Sequence, residues 1–412
     1  MTKTSQANSV RLQDIEDAKH RTARSLYCTP CTGIFSPFFE RAQQKVFLKL
    51  ETLHQTGSFK ERGALNKLLL LKQQSENTKV IGASAGNHAQ AVAYHGAMLG
   101  FDVSMIMPKH TPNTKVMRTE KWGAHIQLEG DTVDECIRIA KEKAQMEGME
   151  FVHAFDDVDI IAGQGTFGLE VLEQVQDVDI VVVPIGGGGF ISGTAVAIKN
   201  KKPSCKVIGV QVDRYPSIFE QFHGQSSTKT HYDPTIADGI AVKGIGQHTV
   251  ELIEHYVDDI VLVSDDEIAQ TILHLLEQNK LLAEGAGAAG FAAIMHNKIP
   301  QSEGKTMVTP ICGGNIDMNL LSRIIERGYM KERKLIRLNV VISDRPGSLN
   351  KLTGVLAKLG ANILQIHHQR ASTEVPFYNT GTDLTLETRG ETHAQEILDA
   401  LLHETYKVTL KN

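Results

Sequence analysis

With 412 residues the chain is longer than one ordinary domain and suits two or three. Its 41% hydrophobic and 22% charged residues are those of a globular protein, and a formal net charge of -5 argues against a nucleic-acid or anionic-membrane binder, which needs a clustered positive surface. No apolar run reaches the ~18 uncharged residues of a membrane span, and the opening MTKTSQANSV lacks the apolar core of a secretory signal, so a cytoplasmic protein is expected.

In chain order, residues 10–25 place Leu12, Ile15 and Ala18 on one face at helical spacing. Cys28 and Cys31 form a C-x-x-C, but no second pair and no closely spaced His follows. Two small side chains beside a turn at Pro30 are therefore expected, rather than a redox or zinc site. KVFLKLE (45–51) predicts a strand, followed by a turn and a helix from near Ser58. Strands are predicted again at 80–84, 102–108, 124–129, 150–155, 179–185 and 207–213, each separated by helical patterns. This alternation predicts an α/β architecture with a largely parallel sheet covered on both faces, and a ligand beyond the carboxyl ends of the strands.

The composition changes at the charged stretch KERKLIR, so we expect a large domain over 1–330, a linker at 331–336 and a small domain over 337–412. In the small domain RLNVVIS predicts a strand, DRPGSL a turn and LNKLTGVLAKLG a helix. ANILQIHHQR and TDLTLETR predict two further strands, THAQEILDALLHE a helix, and YKVTL a closing strand. The order is that of a ferredoxin-like unit.

Four strand-to-helix loops carry the candidate chemistry. Lys60, in GSFKERGA, stands near a helix start, where the positive helix end helps lower a lysine pKa. SAGNHAQ combines helix-start amides, the Ser84 hydroxyl and the small Ala85 and Gly86, a setting for a carboxylate, with Asn87 offering both a donor and an acceptor. Gly186, Gly187, Gly188 and Gly189 follow the apolar DIVVVPI and let the backbone direct several N–H groups at one phosphate. A dinucleotide fingerprint would need a glycine at 191 or 192, where Ile191 and Ser192 stand, so a nicotinamide enzyme is the weaker reading. Cys312, in PICGGN, offers a small sulfur to a heteroaromatic nitrogen.

Taken together and in this order, GSFKERGA, SAGNHAQ, GGGG and CGGN resemble the fold-type II pyridoxal-phosphate (PLP) enzymes and most closely the threonine dehydratases. TIADGIAV, AGQGT and AEGAGAA match that group too. The resemblance implies a tryptophan synthase β-like fold binding pyridoxal 5'-phosphate, with 1–330 a catalytic domain of two α/β subdomains. It makes Lys60 the Schiff-base residue and α-proton base and Asn87 the partner of the ring hydroxyl. Gly186, Gly187, Gly188, Gly189 and the amide of Phe190 become the phosphate cradle, and Cys312 the partner of the pyridine nitrogen. Phe59 completes the cofactor site, and Ser84, Ala85, Gly86, Asn87 and His88 bind the substrate carboxylate. The implied reaction is dehydration and deamination of threonine, and of serine, to a 2-oxo acid and ammonia. Racemases of this family use a serine hydroxyl where Ala85 stands, and alanine cannot exchange a proton, so serine racemisation is the lesser alternative. A catalytically inert amino-acid sensor is another.

The small domain resembles an ACT domain, which implies either an amino-acid effector at the turn containing Asp344, Pro346, Gly347, Ser348 and Leu349 or a plain dimerisation module whose Pro-Gly only forms the turn, in a homodimer or homotetramer. No complete metal-ligand set is evident. His367 and His368 are adjacent on a strand and point to opposite faces.

Overall fold

The computed structural model describes residues 10–75, 78–225, 233–244, 246–369 and 375–411, in two compact units, 1–317 and 318–412. The first unit contains two sheets. β1 (Cys31–Ile34) and β2 (Lys45–Lys49) begin one of them. The chain then leaves to build β3 (Lys79–Ala83), β4 (Asp102–Met107), β5 (His125–Leu128) and β6 (Glu150–Phe151), a four-stranded parallel sheet in the order β5-β4-β3-β6. It returns with β7 (Ile180–Pro184), β8 (Lys206–Val212), β9 (Asp259–Val263) and β10 (Thr306–Pro310), which complete a six-stranded sheet in the order β1-β2-β10-β7-β8-β9.

All pairings in the large sheet are parallel except β1 with β2. Every residue of β7 and β10 is buried, as a strand covered on both faces must be, and their β-branched side chains suit that packing. The expected α/β alternation is present and builds two sheets. The strand expected at 150–155 ends at Phe151. Val152 N–H still bonds the Ile81 carbonyl at 2.8 Å, after which residues 153–156 turn away toward Lys60.

Beneath β10 lies the helix Gly285–Met295, buried along nearly its whole length and rich in Gly and Ala. A side chain on Gly290 would place its Cβ 2.3 Å from Thr309 Oγ1, and one on Gly287 would lie 2.2 Å from the Gly313 carbonyl. Small residues therefore let this helix seat itself directly under β10 and the loop that follows it.

The second unit contains the helix Met318–Lys331, then β11 (Leu335–Ser343), β12 (Asn362–Gln369), β13 (Asn379–Glu387) and β14 (Lys407–Lys411), antiparallel in the order β12-β13-β11-β14. Glu332, Arg333 and Lys334 join that helix to β11. β11 buries Ile336, Leu338, Val340 and Ile342 on one face, against Leu352 and Leu356 of the helix Ser348–Leu359 and Ile397 and Leu401 of the helix Glu391–His403. One covered face and a strict alternation make this the expected ferredoxin-like unit. Ser348 and Leu349 open its first helix, with Gly347 at φ +89° immediately before them and Asp344 N–H bonded to the Tyr378 carbonyl at 2.9 Å.

Candidate active site

Lys60 is the first residue of the helix Lys60–Gln74. The loop before it lies along residues 312–315: Phe59 N–H bonds the Cys312 carbonyl at 3.0 Å, Gly314 N–H bonds the Gly57 carbonyl at 2.9 Å, and Ser58 bridges Gly313. Lys60 Nζ donates to the Ala154 carbonyl at 2.7 Å. Burial lowers the amine from its ordinary range to about 8, only partly opposed by the Cys312 and Glu284 side chains. The two nearby imidazoles carry no charge to disturb it. Burial takes His88 down to about 3 and His153 to about 4. His88 Nε2 donates to the Val152 carbonyl, and His153 Nδ1 accepts from the Phe155 and Asp156 amides. In the protein stripped of cofactor, uptake of an aldehyde cofactor should quicken as pH rises and level off near pH 8, not near the ~10.4 of a free lysine. Stopped-flow absorbance measures this.

The helix Gly189–Lys201 starts inside the glycine run, and Gly188 takes φ +91°, a conformation costly for any side-chain-bearing residue. Space is as restrictive as torsion. A Cβ on Gly187 would lie 2.3 Å from the Phe155 ring, one on Gly189 2.6 Å from the Phe155 carbonyl, and one on Gly186 3.1 Å from Ile240 Cα. Bare backbone amides at a helix start make a phosphate cradle. Gly187→Ala must push Phe155 aside. We expect a loss of about 1–3 kcal/mol in stability and cofactor affinity weakened at least ~10-fold, measured by denaturant melts and equilibrium dialysis.

Side-chain contacts tie the four loops together. Phe59 stacks on Phe190 with centroids 4.0 Å apart and 20° between planes, joining the lysine and glycine loops. Asn87 Oδ1 accepts from Asn315 Nδ2 at 2.7 Å, joining the residues at 84–88 to the loop after β10. In the former, Gly86 N–H bonds Ser84 Oγ at 3.1 Å, and a Cβ on Gly86 would meet nothing, so this turn faces open space. His88 is buried behind it, whereas Ser84, Ala85, Gly86 and Asn87 are half-buried. Cys312 is buried with its Sγ toward the Ala286 carbonyl at 3.5 Å, and burial pushes its thiol well above the usual range.

Several contributors went unassigned in the sequence. Ala154 contributes through its backbone, the carbonyl that meets Lys60, which no side-chain pattern announces. Asp156 accepts the Gln247, His248 and Thr249 amides, so the segment covering Lys60 also caps the helix Gln247–Tyr256. Asn315 and Glu284 flank Asn87. Burial first, and Asp238 second, raise the Glu284 carboxyl to about 7. Cys28 and Cys31 are free thiols, and burial raises Cys31 to about 11, far from the range of a reactive thiolate.

The residues present fit pyridoxal phosphate: a glycine cradle with no room for a Cβ, an amine with lowered pKa, and a buried thiol, on loops tied to one another. Comparisons with known proteins agree. Residues 25–313 match the family model described as pyridoxal-phosphate dependent enzyme, and residues 336–402 match the ACT domain. An L-threonine ammonia-lyase of Thermotoga maritima is 43% identical over 97% of this chain and 99% of its own length. A catabolic L-threonine dehydratase of Escherichia coli is 44% identical over 76% of this chain and 96% of its own. Among solved structures, the processed form of threonine deaminase isoform 2 from Solanum lycopersicum superposes with a TM-score of 0.70 at 28% identity, covering 80% of this chain and 94% of that one. A serine racemase of Dictyostelium discoideum gives 0.69 at 30% identity, covering 75% of this chain and 99% of that one.

Proposed function

Because the chain belongs to the family of pyridoxal-phosphate dependent enzymes, we propose that it removes ammonia from L-threonine to give 2-oxobutanoate, and from L-serine to give pyruvate. When bound, pyridoxal phosphate supplies an electron sink for the pair left at the substrate α-carbon. The protein's residues do the rest. Lys60 anchors the cofactor through Nζ and, once displaced by the substrate amine, takes the α-proton. Its lowered pKa leaves a useful fraction of free amine near neutral pH. The amides of Gly186, Gly187, Gly188, Gly189 and Phe190 hold the phosphate, with Phe59 packed on Phe190. The turn at Ser84, Ala85, Gly86, Asn87 and His88 holds the substrate carboxylate.

Cys312, kept a neutral thiol by burial, would meet the ring nitrogen. The absence of a carboxylate there would favour prompt elimination, with the β-hydroxyl leaving as water on taking the proton that Lys60 removed. Water then releases ammonia, leaving the 2-oxo acid. Ala85 has no proton to return from the opposite face, which favours elimination over racemisation.

The observation that carries this reading is the low-pKa Lys60 set against a glycine loop too tight for any side chain. For the second module, proposed over 337–412 after a linker at 331–336, we propose amino-acid effector binding at Asp344, Pro346, Gly347, Ser348 and Leu349, in a cytoplasmic homodimer or homotetramer. Among the described residues, no helix is long and apolar enough to cross a membrane. Steady-state 2-oxo acid formation from threonine and serine, with and without branched-chain amino acids, tests both parts. A colourless protein without turnover overturns the first, and rates indifferent to every amino acid tried overturn the second.

A further inference from the structure

A line of hydrogen bonds runs through Asn87, and a backbone carbonyl at one end sets its direction. At one end the Thr56 backbone carbonyl accepts from Asn315 Nδ2 at 2.8 Å. A carbonyl has no hydrogen to give, so Asn315 must turn its nitrogen that way. The second hydrogen of the same nitrogen goes to Asn87 Oδ1 at 2.7 Å. Asn87 thus keeps its oxygen on the Asn315 side and its Nδ2 on the other, where it donates to Glu284 Oε1 at 2.5 Å.

Inverting the Asn87 amide would set nitrogen against nitrogen at Asn315 and oxygen against carboxyl oxygen at Glu284. The backbone holds the partners in place. Glu284 N–H bonds the Gly313 carbonyl at 3.0 Å, and a Cβ on Gly313 would fall 2.1 Å from Glu284 Oε1 and 2.9 Å from Asn87 Nδ2. A residue larger than glycine at 313 would separate the pair. An asparagine Nδ2 has two hydrogens, and Glu284 takes only one of them.

We propose that Asn315 and Glu284 are positioning residues that fix the polarity of Asn87, so that it meets the ring oxygen of the bound cofactor as an N–H donor and holds that oxygen as an anion. This rests on the reading of Asn87 as the partner of the ring hydroxyl. A donated N–H favours the oxyanion, whereas an accepting carbonyl would favour the protonated phenol.

The test is the pH midpoint of the bound cofactor's absorption band in the loaded protein. Glu284→Leu and Glu284→Gln remove the same charge, but only glutamine can still accept from Asn87. The leucine variant should titrate about 1–2 pH units above the glutamine variant, the size of one charge-assisted hydrogen bond. Asn315→Leu should lie above wild type by a similar amount. Equal midpoints for the two Glu284 variants, or an Asn315→Leu midpoint at or below wild type, overturn the proposal.

A neutron structure of the loaded wild-type protein decides the same point without any substitution. Deuterium on Asn87 Nδ2 facing the ring oxygen is expected, and deuterium on the ring oxygen facing Asn87 Oδ1 overturns it. If wild type takes up no pyridoxal phosphate, the underlying reading fails. If wild type loads and turns over threonine while the midpoints coincide, only the positioning role fails.

Discussion

Lys60→Ala should lower 2-oxo acid formation by roughly 10⁴-fold or more, because one amine both anchors the cofactor and moves the α-proton. The fold should barely register the change. Lys60 is half-buried, and its hydrogen bond to the Ala154 carbonyl is worth about 1 kcal/mol. The glycine loop and Asn87 remain, so the variant should still bind the cofactor, more weakly, and borohydride should no longer fix it to the chain. Lys60→Arg should not rescue activity, since a guanidinium stays charged at any working pH. Turnover assays and peptide mass spectrometry after reduction check each point. A variant retaining a tenth of wild-type turnover would remove Lys60 from the chemistry.

Arg62, two residues further along the same helix, should behave in the opposite way. It is fully buried, donating to Glu51 at 2.6 and 2.8 Å, to both oxygens of Glu170 at 2.7 Å and to Thr166 Oγ1 at 3.0 Å. Lys49, also buried, adds a 2.7 Å pair with Glu170. Burial alone would raise both carboxyls, but Arg62, with His54 for Glu51 and Lys49 for Glu170, outweighs it and holds them below the usual range.

Arg62→Ala leaves two buried carboxylates short of their main counter-charge, and stability at pH 7 should fall by about 3–5 kcal/mol. The sign with pH is fixed by the direction of those shifts. In wild type the stabilisation is complete above the ordinary carboxyl pKa of ~4.3 and is lost as pH falls through the depressed folded values. In Arg62→Ala the stranded carboxyls rise instead, so protonation relieves them and the gap to wild type should narrow toward pH 4. Urea midpoints at pH 7 and pH 4.5 measure this. An equal gap at both would mean that Arg62 matters for packing and not for charge.

These two neighbours also differ in how far the sequence alone reveals them. Lys60, Asn87, Cys312 and the glycines stood out because each lies at a strand-to-helix turn, where local chain chemistry is unusual and the motif is contiguous. The ferredoxin-like unit was legible because β11 alternates over one covered face. Arg62, Asn315 and Glu284 lie inside the motifs GSFKERGA, CGGN and AEGAGAA, yet neither they nor Glu51 and Glu170 could be given a partner from local sequence alone. Their roles come from partners distant in the chain, more than a hundred residues away for Arg62 and Glu170 or Asn87 and Asn315, and nothing local marks a charge as paired.

Two α/β subdomains were expected, but which strands share a sheet was hidden for a related reason. A strand ending in a loop looks the same whether its next neighbour joins the same sheet or another. β1, CTGI, is short and its hydrophobic pattern thin, whereas β9, DIVLV, is apolar but only partly covered. At 150–155 the apolar pattern continues past Phe151 because Val152 and Phe155 are used by the loop over Lys60 rather than by a strand.

β10 sits third in the large sheet, between β2 and β7, although it is the last of the six strands in the chain. Lys45 must wait for Thr306, and Lys49 for Pro310, before β2 gains its inner neighbour. During synthesis, therefore, the small sheet can close while the large one still presents an open β2 edge, the kind of unpaired strand that seeds misassembly. The lysine loop, which rests on residues 312–315, has nothing to dock against until that point. A nascent chain stalled before residue 306 would carry Lys60, Asn87 and the whole glycine run and still have no pocket in which to hold a cofactor.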